Sequence, residues 1–123
     1  FSSSKELGNT KGLNILDGKV KSLKSLKTKK ICPNLGWNQL NYKKNHTNNL
    51  FNQFDTEIAV YFIHSYYAEI KDKRCITSTI NFGKKKIIAS IQFKNLYGVQ
   101  FHPEKSGNDG IKIIKSFLNQ IKT

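Results

Sequence analysis

The most apolar stretch of the chain is residues 57–67 (EIAVYFIHSYY). Both of its alternating faces carry large groups: Ile58, Val60 and Phe62 on one, Ala59, Tyr61 and Ile63 on the other. Burial on both sides suits a central strand between two layers, and the pattern predicts one here. Residues 75–81 and 86–93 read as two strands joined across Phe82-Gly83-Lys84-Lys85, a hairpin. In the second strand Ile87, Ala89, Ile91 and Phe93 alternate with Lys86, Ile88, Ser90 and Gln92, so one face is expected to be buried more than the other. Residues 96–101 form a further short strand that runs straight into His102-Pro103-Glu104. Beyond it the apolar period becomes helical. Ile111, Ile114, Leu118 and Ile121 make one stripe, widened by Ile113 and Phe117, with Lys112, Lys115, Asn119 and Lys122 on the other side. This predicts a closing helix capped by Asn108 or Asp109, with Lys122 at the negative end of its dipole.

The first part of the chain is less sharply patterned. Residues 1–7 predict the end of a helix, with Gly8 as its left-handed stop. Asp17-Gly18 predicts a tight turn using the positive φ angles that this pair supplies. Residues 19–30 hold six lysines in twelve positions, spaced by Val20, Leu23 and Leu26. The bland reading is a solvated, edge-like strand followed by a loop; the sharper one is a surface for an anionic partner. Residues 36–42 read as a short strand and residues 43–49 as a polar loop. Strands packed with at least one helix, and no internal repeat, point to an α/β or α+β domain.

Composition narrows the function classes. Twenty-one Lys+Arg against eight Asp+Glu give a net charge of +13, which would ordinarily suggest nucleic acid. Yet twenty of those cations are lysine and only Arg74 is arginine, whereas bidentate phosphate or guanine recognition favours arginine. Lys, Ile and Asn together make 47 of 123 residues, the pattern of an AT-rich coding sequence. Much of the charge therefore reads as compositional drift on a solvated surface, and a non-catalytic basic nucleic-acid-binding module is kept only as the alternative. No stretch approaches the ~18 apolar residues of a membrane span, and the start lacks a signal-peptide pattern. The expected location is cytoplasmic. Cys32 and Cys75 stand alone without C-x-x-C spacing, and His46, His64 and His102 are scattered, so no metal and no cofactor are expected.

The chemistry sits in Gly98-Val99-Gln100-Phe101-His102-Pro103-Glu104-Lys105-Ser106-Gly107. In an extended chain residues i and i+2 project to one side, and Pro103 biases His102 towards extended geometry. An imidazole beside a carboxylate is the base and orienter of a nucleophilic triad. By spacing alone His-x-Glu is a weak signal and reads equally as a structural pair. Neither cysteine has the glycine-flanked setting of a nucleophile elbow. The chain has no methionine and begins with Phe1. It therefore reads as a fragment or a processed chain, with its nucleophile expected upstream and roughly 60–100 residues, two or three βα units, left out. His64, on an apolar strand, reads as a hydrogen-bonded core histidine rather than a catalyst.

GVQFHPEKS, Pro33-Asn34-Leu35-Gly36-Trp37-Asn38 and Tyr61-Phe62-Ile63-His64-Ser65-Tyr66-Tyr67 together resemble the class I (triad) glutamine amidotransferases. The closer likeness is to the glutaminase subunits of imidazole glycerol phosphate synthases. Glu6-Leu7-Gly8, Lys11-Gly12-Leu13 and Asp17-Gly18-Lys19-Val20 follow that family in order, so the likeness covers essentially the whole chain. It implies an α/β, flavodoxin-like fold, a mixed sheet flanked by helices, with residues 1–123 forming the C-terminal portion of a single amidotransferase domain. The implied chemistry is attack by a cysteine thiolate on the carboxamide of glutamine, release of ammonia, and hydrolysis of the thioester to glutamate. His102 would match the proton shuttle and Glu104 the residue that holds it. Glu6 would match the position that helps hold the substrate α-amino group, and the Ser65-Tyr66 backbone the part that receives the α-carboxylate.

The likeness also implies a partner, a (βα)8-barrel cyclase subunit in a heterodimer, with ammonia passing through it to make imidazole glycerol phosphate in histidine biosynthesis. Trp37, Asn38, Tyr61 and Lys105 would match positions facing that partner. Read as residues alone, Trp37 and Tyr61 also suit a core, Lys105 a solvated surface and Glu6 a frayed end. The family usually has Pro-His-Met-Gly-Trp where this chain has Pro33-Asn34-Leu35-Gly36-Trp37, an amide in place of a titratable group. That leaves a related amidotransferase open as an alternative, one feeding ammonia to a surface-sugar acceptor.

Overall fold

The computed structural model describes residues 1–44 and 50–121. The expected strand-and-helix architecture is present. Among these described residues ten strands follow in order: β1 Ser3–Ser4, β2 Thr10–Lys11, β3 Gly18–Ser22, β4 Asn34–Gln39, β5 Asn41–Tyr42, β6 Ala59–His64, β7 Tyr66–Ile70, β8 Ile76–Phe82, β9 Lys85–Phe93 and β10 Leu96–Val99, before helix α1, Gly107–Ile121. They form three sheets, ordered β2-β1-β3-β7, β10-β9-β8-β5 and β4-β6. Only the pairing of β1 with β3 is parallel, so the first sheet is mixed; the other two are antiparallel.

The β8–β9 hairpin forms where its pattern predicts. Phe82 faces Lys85 across Gly83 and Lys84, and Gly83 takes φ 62, the conformation that a tight two-residue hairpin asks of its first turn position. Buried Ile80, Phe82, Ile87 and Ala89 bring this hairpin into the main core, alongside Phe51, Ile58, Val60, Phe62 and Phe101. A second, smaller cluster joins Leu16, Ile70, Cys75 and Ile91.

Several expectations are corrected. Residues 1–7 end no helix: Ser3–Ser4 is a strand, held by Ser2 N–H to Gly18 O and Lys5 N–H to Val20 O, though Gly8 does take φ 109. Gly18 opens β3 instead of turning. Glycine is needed there because a Cβ would lie 2.6 Å from the Glu69 carbonyl oxygen of β7. The lysine-bearing β3 is no edge, since β1 and β7 flank it. The stretch read as one central strand breaks at Ser65 into β6 and β7, and β6 is buried on one face only. Ile58, Val60, Phe62 and His64 are buried, whereas Ala59 and Ile63 are exposed and Tyr61 is half-buried. Among the described residues its sole sheet neighbour is β4, whose own outward alternation, Leu35, Trp37 and Gln39, is exposed too.

The closing helix begins at Gly107, so Asn108 and Asp109 lie in its first turn and Ser106 directly precedes it. The expected stripe is also turned. Gly110, Ile113 and Ser116 are the buried positions, while Ile111, Ile114, Leu118 and Ile121 remain exposed. The reason is close approach: a Cβ on Gly110 would overlap the Pro103 carbonyl oxygen, so this line of the helix, and no bulkier one, meets the turn beneath. The Gln53 amide secures the orientation by donating to Lys112 O and Ser116 Oγ at 2.6 and 2.7 Å. Lys122 and His46 lie outside the described residues, as does the larger part of the polar loop expected at 43–49.

Candidate active site

β10 ends at Val99, and the chain passes through buried Phe101 into a 3₁₀ turn, Pro103–Lys105. Proline starts this turn well because its φ is already set and its missing N–H is not needed there. His102 stands just before the turn in extended conformation, φ −100 and ψ 97, as expected of a residue preceding proline. The i, i+2 geometry follows: His102 Nδ1 lies 2.8 Å from Glu104 Oε1.

An ionised carboxylate only accepts, so Nδ1 carries the hydrogen. Nε2 of the neutral ring then presents a lone pair, and among the described residues it has no hydrogen-bond partner. The imidazole is partly exposed. The Glu104 carboxyl is held below the usual range, first by its own backbone N–H and then by the His102 bond. The pair is therefore an ionised orienter on a histidine whose other nitrogen is open, the arrangement of a general base.

Neither cysteine completes it. Cys75 is buried in the second cluster, and burial pushes its thiol upward, away from the thiolate. Cys32 packs against the main core, just before Pro33.

The residues assigned to the partner divide. Trp37 and Tyr61 sit opposite each other in the β4–β6 register, rings edge to face at 5.8 Å. Leu35 and Ile63 form the adjacent pair. Trp37 is 57% exposed and Leu35 63%, which disfavours the core reading of Trp37. Lys105 ends the 3₁₀ turn and is exposed. Asn38 falls on the opposite alternation of β4, half-buried, and its amide folds back to donate to Gly36 O at 3.3 Å.

The substrate-contacting candidates gather elsewhere. Ser65 is the exposed corner between β6 and β7, its carbonyl accepting Leu23 N–H at 2.9 Å. Tyr66 opens β7 opposite Ser22 of β3. Glu6 is exposed on the continuation of β1, which runs parallel to β3, so Glu6 and Tyr66 share one end of that sheet. Ser65 is four residues along β6 from Tyr61, roughly 13 Å in an extended strand, and Tyr61 O accepts His102 N–H at 2.9 Å.

His64 behaves as the core histidine its pattern suggests. It is buried, Nδ1–H donates to Tyr66 O at 2.7 Å, and Nε2 accepts from the Asn34 amide at 2.9 Å. Burial lowers its basicity, against the opposing pull of the Tyr66 carbonyl. Asn34, which departs from the family pattern, thus points inward to His64 and not onto the exposed face.

Two residues escaped the sequence reading, Ser106 and Gly110. The only advance signal was a glycine in the first turn of an amphipathic helix, where it costs about 1 kcal/mol against alanine and so implies a close approach.

Among the described residues no group of His, Cys, Asp and Glu could hold a metal ion, and no helix is long and apolar enough to cross a membrane.

A histidine with a carboxylate orienter at a strand end is the base half of a nucleophilic triad, a constellation that several enzyme classes share. The family model described as Glutamine amidotransferase class-I matches residues 7–121, and the chain belongs to that family. Among curated relatives it is 39% identical over 122 residues to the imidazole glycerol phosphate synthase subunit HisH of Gloeothece citriformis, covering 99% of this chain and 56% of that protein. It is 42% identical to the protein of the same name from Cyanidium caldarium, covering 97% and 58%. The chain thus spans a little over half the length of the relatives it matches. Among solved structures, a glutamine amidotransferase from Thermotoga maritima superposes with a TM-score of 0.52 at 16% identity, covering 85% of this chain and 41% of that one. That likeness speaks to the fold alone.

Proposed function

We propose that this chain supplies the acid–base half of a glutaminase site, in a subunit that delivers ammonia to a synthase partner. The observation that carries the reading is the 2.8 Å contact of His102 Nδ1 with Glu104 Oε1, which leaves Nε2 open. A cysteine that neither Cys32 nor Cys75 provides attacks the side-chain amide carbon of glutamine. His102 Nε2 takes the thiol proton and returns it to the departing nitrogen, which leaves as ammonia. His102 Nε2 then takes a proton from the water that opens the thioester and passes it to the departing cysteine sulfur, giving glutamate and restoring the thiol. Glu104 keeps the imidazole oriented and stabilises its cationic form. Glu6 and the Ser65-Tyr66 corner hold the α-amino and α-carboxylate groups of glutamine.

The partner is a (βα)8-barrel cyclase that consumes the ammonia in forming imidazole glycerol phosphate, in the cytoplasm. The names of the relatives, which call them subunits of imidazole glycerol phosphate synthase, support a synthase partner, as does an apolar face of exposed Leu35, Trp37 and Ile63 and half-buried Tyr61. Such a face on a two-stranded sheet is the kind of surface that marks a protein contact.

The test is His102→Ala in the full natural protein with its cyclase. Glutamine-dependent synthesis is expected to fall at least about a hundredfold, while synthesis from added ammonium salt continues. Loss of both together would make His102 structural and overturn the reading. The 123-residue chain alone is expected to turn over no glutamine, and turnover by it would overturn the assignment of the nucleophile elsewhere.

A further inference from the structure

The main chain of His102 is held by a side chain that the proposed chemistry does not use. Ser106 is 2% exposed, and its hydroxyl works in both directions. Oγ accepts the Tyr61 backbone N–H at 2.9 Å and donates to the His102 carbonyl oxygen at 2.7 Å. His102 N–H in turn donates to Tyr61 O at 2.9 Å. Three hydrogen bonds thus close a ring that joins one residue of β6 to both main-chain polar groups of the histidine. A hydroxyl suits this place because it is small and both accepts and donates.

The serine directly before a helix ordinarily accepts an N–H from the helix's own first turn. Ser106 Oγ is turned away from α1, towards β6 and His102, so capping does not account for it. Its main chain anchors the helix separately, with Ser106 O accepting Gly110 N–H at 3.0 Å. The His102 carbonyl also accepts Lys105 N–H at 3.0 Å, so both of its lone pairs are engaged.

Tyr61 is also the residue whose ring meets Trp37 on the exposed face. A shift of β6 under a docked partner would therefore reach the His102 main chain directly, through Ser106 and the Tyr61–His102 bond. We propose that Ser106 is a positioning residue for His102: it fixes the imidazole against Glu104 and ties its place to the β4–β6 face. This rests on the proposed function, and the test below separates failure of the two.

In the full protein assembled with its cyclase, Ser106→Ala leaves the buried Tyr61 N–H without its acceptor. It is expected to lower kcat for glutamine hydrolysis on the order of tenfold, the scale of one lost buried hydrogen bond. KM for glutamine should change less than about twofold on the same scale, and ammonia-dependent synthesis should be unaltered. Ser106→Thr keeps both hydrogen bonds and should restore most of kcat. Ser106→Cys, of similar size but a weak donor and acceptor, carries the test if the alanine variant does not fold. Trp37→Ala made in the Ser106→Ala background should change kcat less than it does in the parent protein. An unchanged kcat in folded Ser106→Ala or Ser106→Cys overturns the proposal, and so does a threonine variant as impaired as alanine. If His102→Ala leaves glutamine hydrolysis intact, the glutaminase reading itself fails. If His102→Ala abolishes it while Ser106→Ala changes nothing, only the role of Ser106 does.

Discussion

The two faces of β6 are nearly equal in hydrophobicity and opposite in fate. Inward, Ile58, Val60 and Phe62 are fully buried, with His64 behind them. Outward, Tyr61 and Ile63 meet water alongside Leu35 and Trp37. The inner face is fixed by packing: Phe62 stacks edge to face on Phe101, the residue preceding His102, at 5.8 Å. The outer face is fixed by the register of β4 against β6 and by the hydrogen bonds of the Tyr61 main chain. One strand thus contributes a core and an exposed apolar face, and its Tyr61 main chain holds that of His102.

That contrast is broken most forcefully from the inside. Phe62→Ala should cost about 3–5 kcal/mol, because it leaves a cavity beside Phe101 and His64 as well as losing apolar burial. Tyr61→Ala, one position along, should cost about 1 kcal/mol or less, since its half-exposed ring leaves little cavity. Denaturant titration of the full protein measures both. Equal losses would mean that the outer face is packed in solution, and that the two faces of β6 do not differ as described.

How much of this was legible beforehand follows from the range of the forces involved. The β8–β9 hairpin was legible because its alternation and its glycine turn are local signals, and so was the His102–Glu104 pair, set by i, i+2 geometry and Pro103. The one-sided burial of β6 was not. Ala59, Tyr61 and Ile63 are as apolar as their neighbours, and only the folded structure shows Ala59 and Ile63 exposed and Tyr61 half-buried. The turned helix face was hidden for a similar reason: Gly110 has no side chain to enter an apolar count, yet its missing Cβ decides which side meets Pro103. Ser106 was invisible because its partner Tyr61 is 45 residues away in sequence.

A gentler perturbation acts on His64, where the inner face meets the Ser65 corner. Burial holds its pKa below 6.5, so the folded state binds this proton less readily than the unfolded chain does. Stability from this group is therefore complete above about pH 6.5 and falls on acidification, until the pH drops below the lowered folded value. The slope for one proton is at most about 1.4 kcal/mol per pH unit. His64→Asn should lower stability at neutral pH, through lost packing and the lost bond to Tyr66 O, but flatten the decline just below pH 6.5. Urea unfolding at a series of pH values measures this. An unchanged slope would mean that His64 titrates as freely in the folded protein as in the unfolded chain.

The smallest expected effect on stability tests the outer face most sharply. Ile63→Ser removes an apolar side chain that is already 39% exposed, and it should change the unfolding free energy by about 1 kcal/mol or less. Trp37→Ala should be similarly mild, since its contact with Tyr61 is an edge-to-face pair worth roughly 0.5–1.5 kcal/mol. On the proposed function, the same changes should be far from mild once the cyclase partner docks on this face. A tryptophan at the centre of an interface commonly contributes about 2 kcal/mol or more, a weakening of about thirtyfold. Titration of each variant with the proposed cyclase partner reads that loss directly. Full affinity in both variants, with stability unchanged, would show that this apolar face meets water in the complex as well, and the partner would have to dock elsewhere on the molecule.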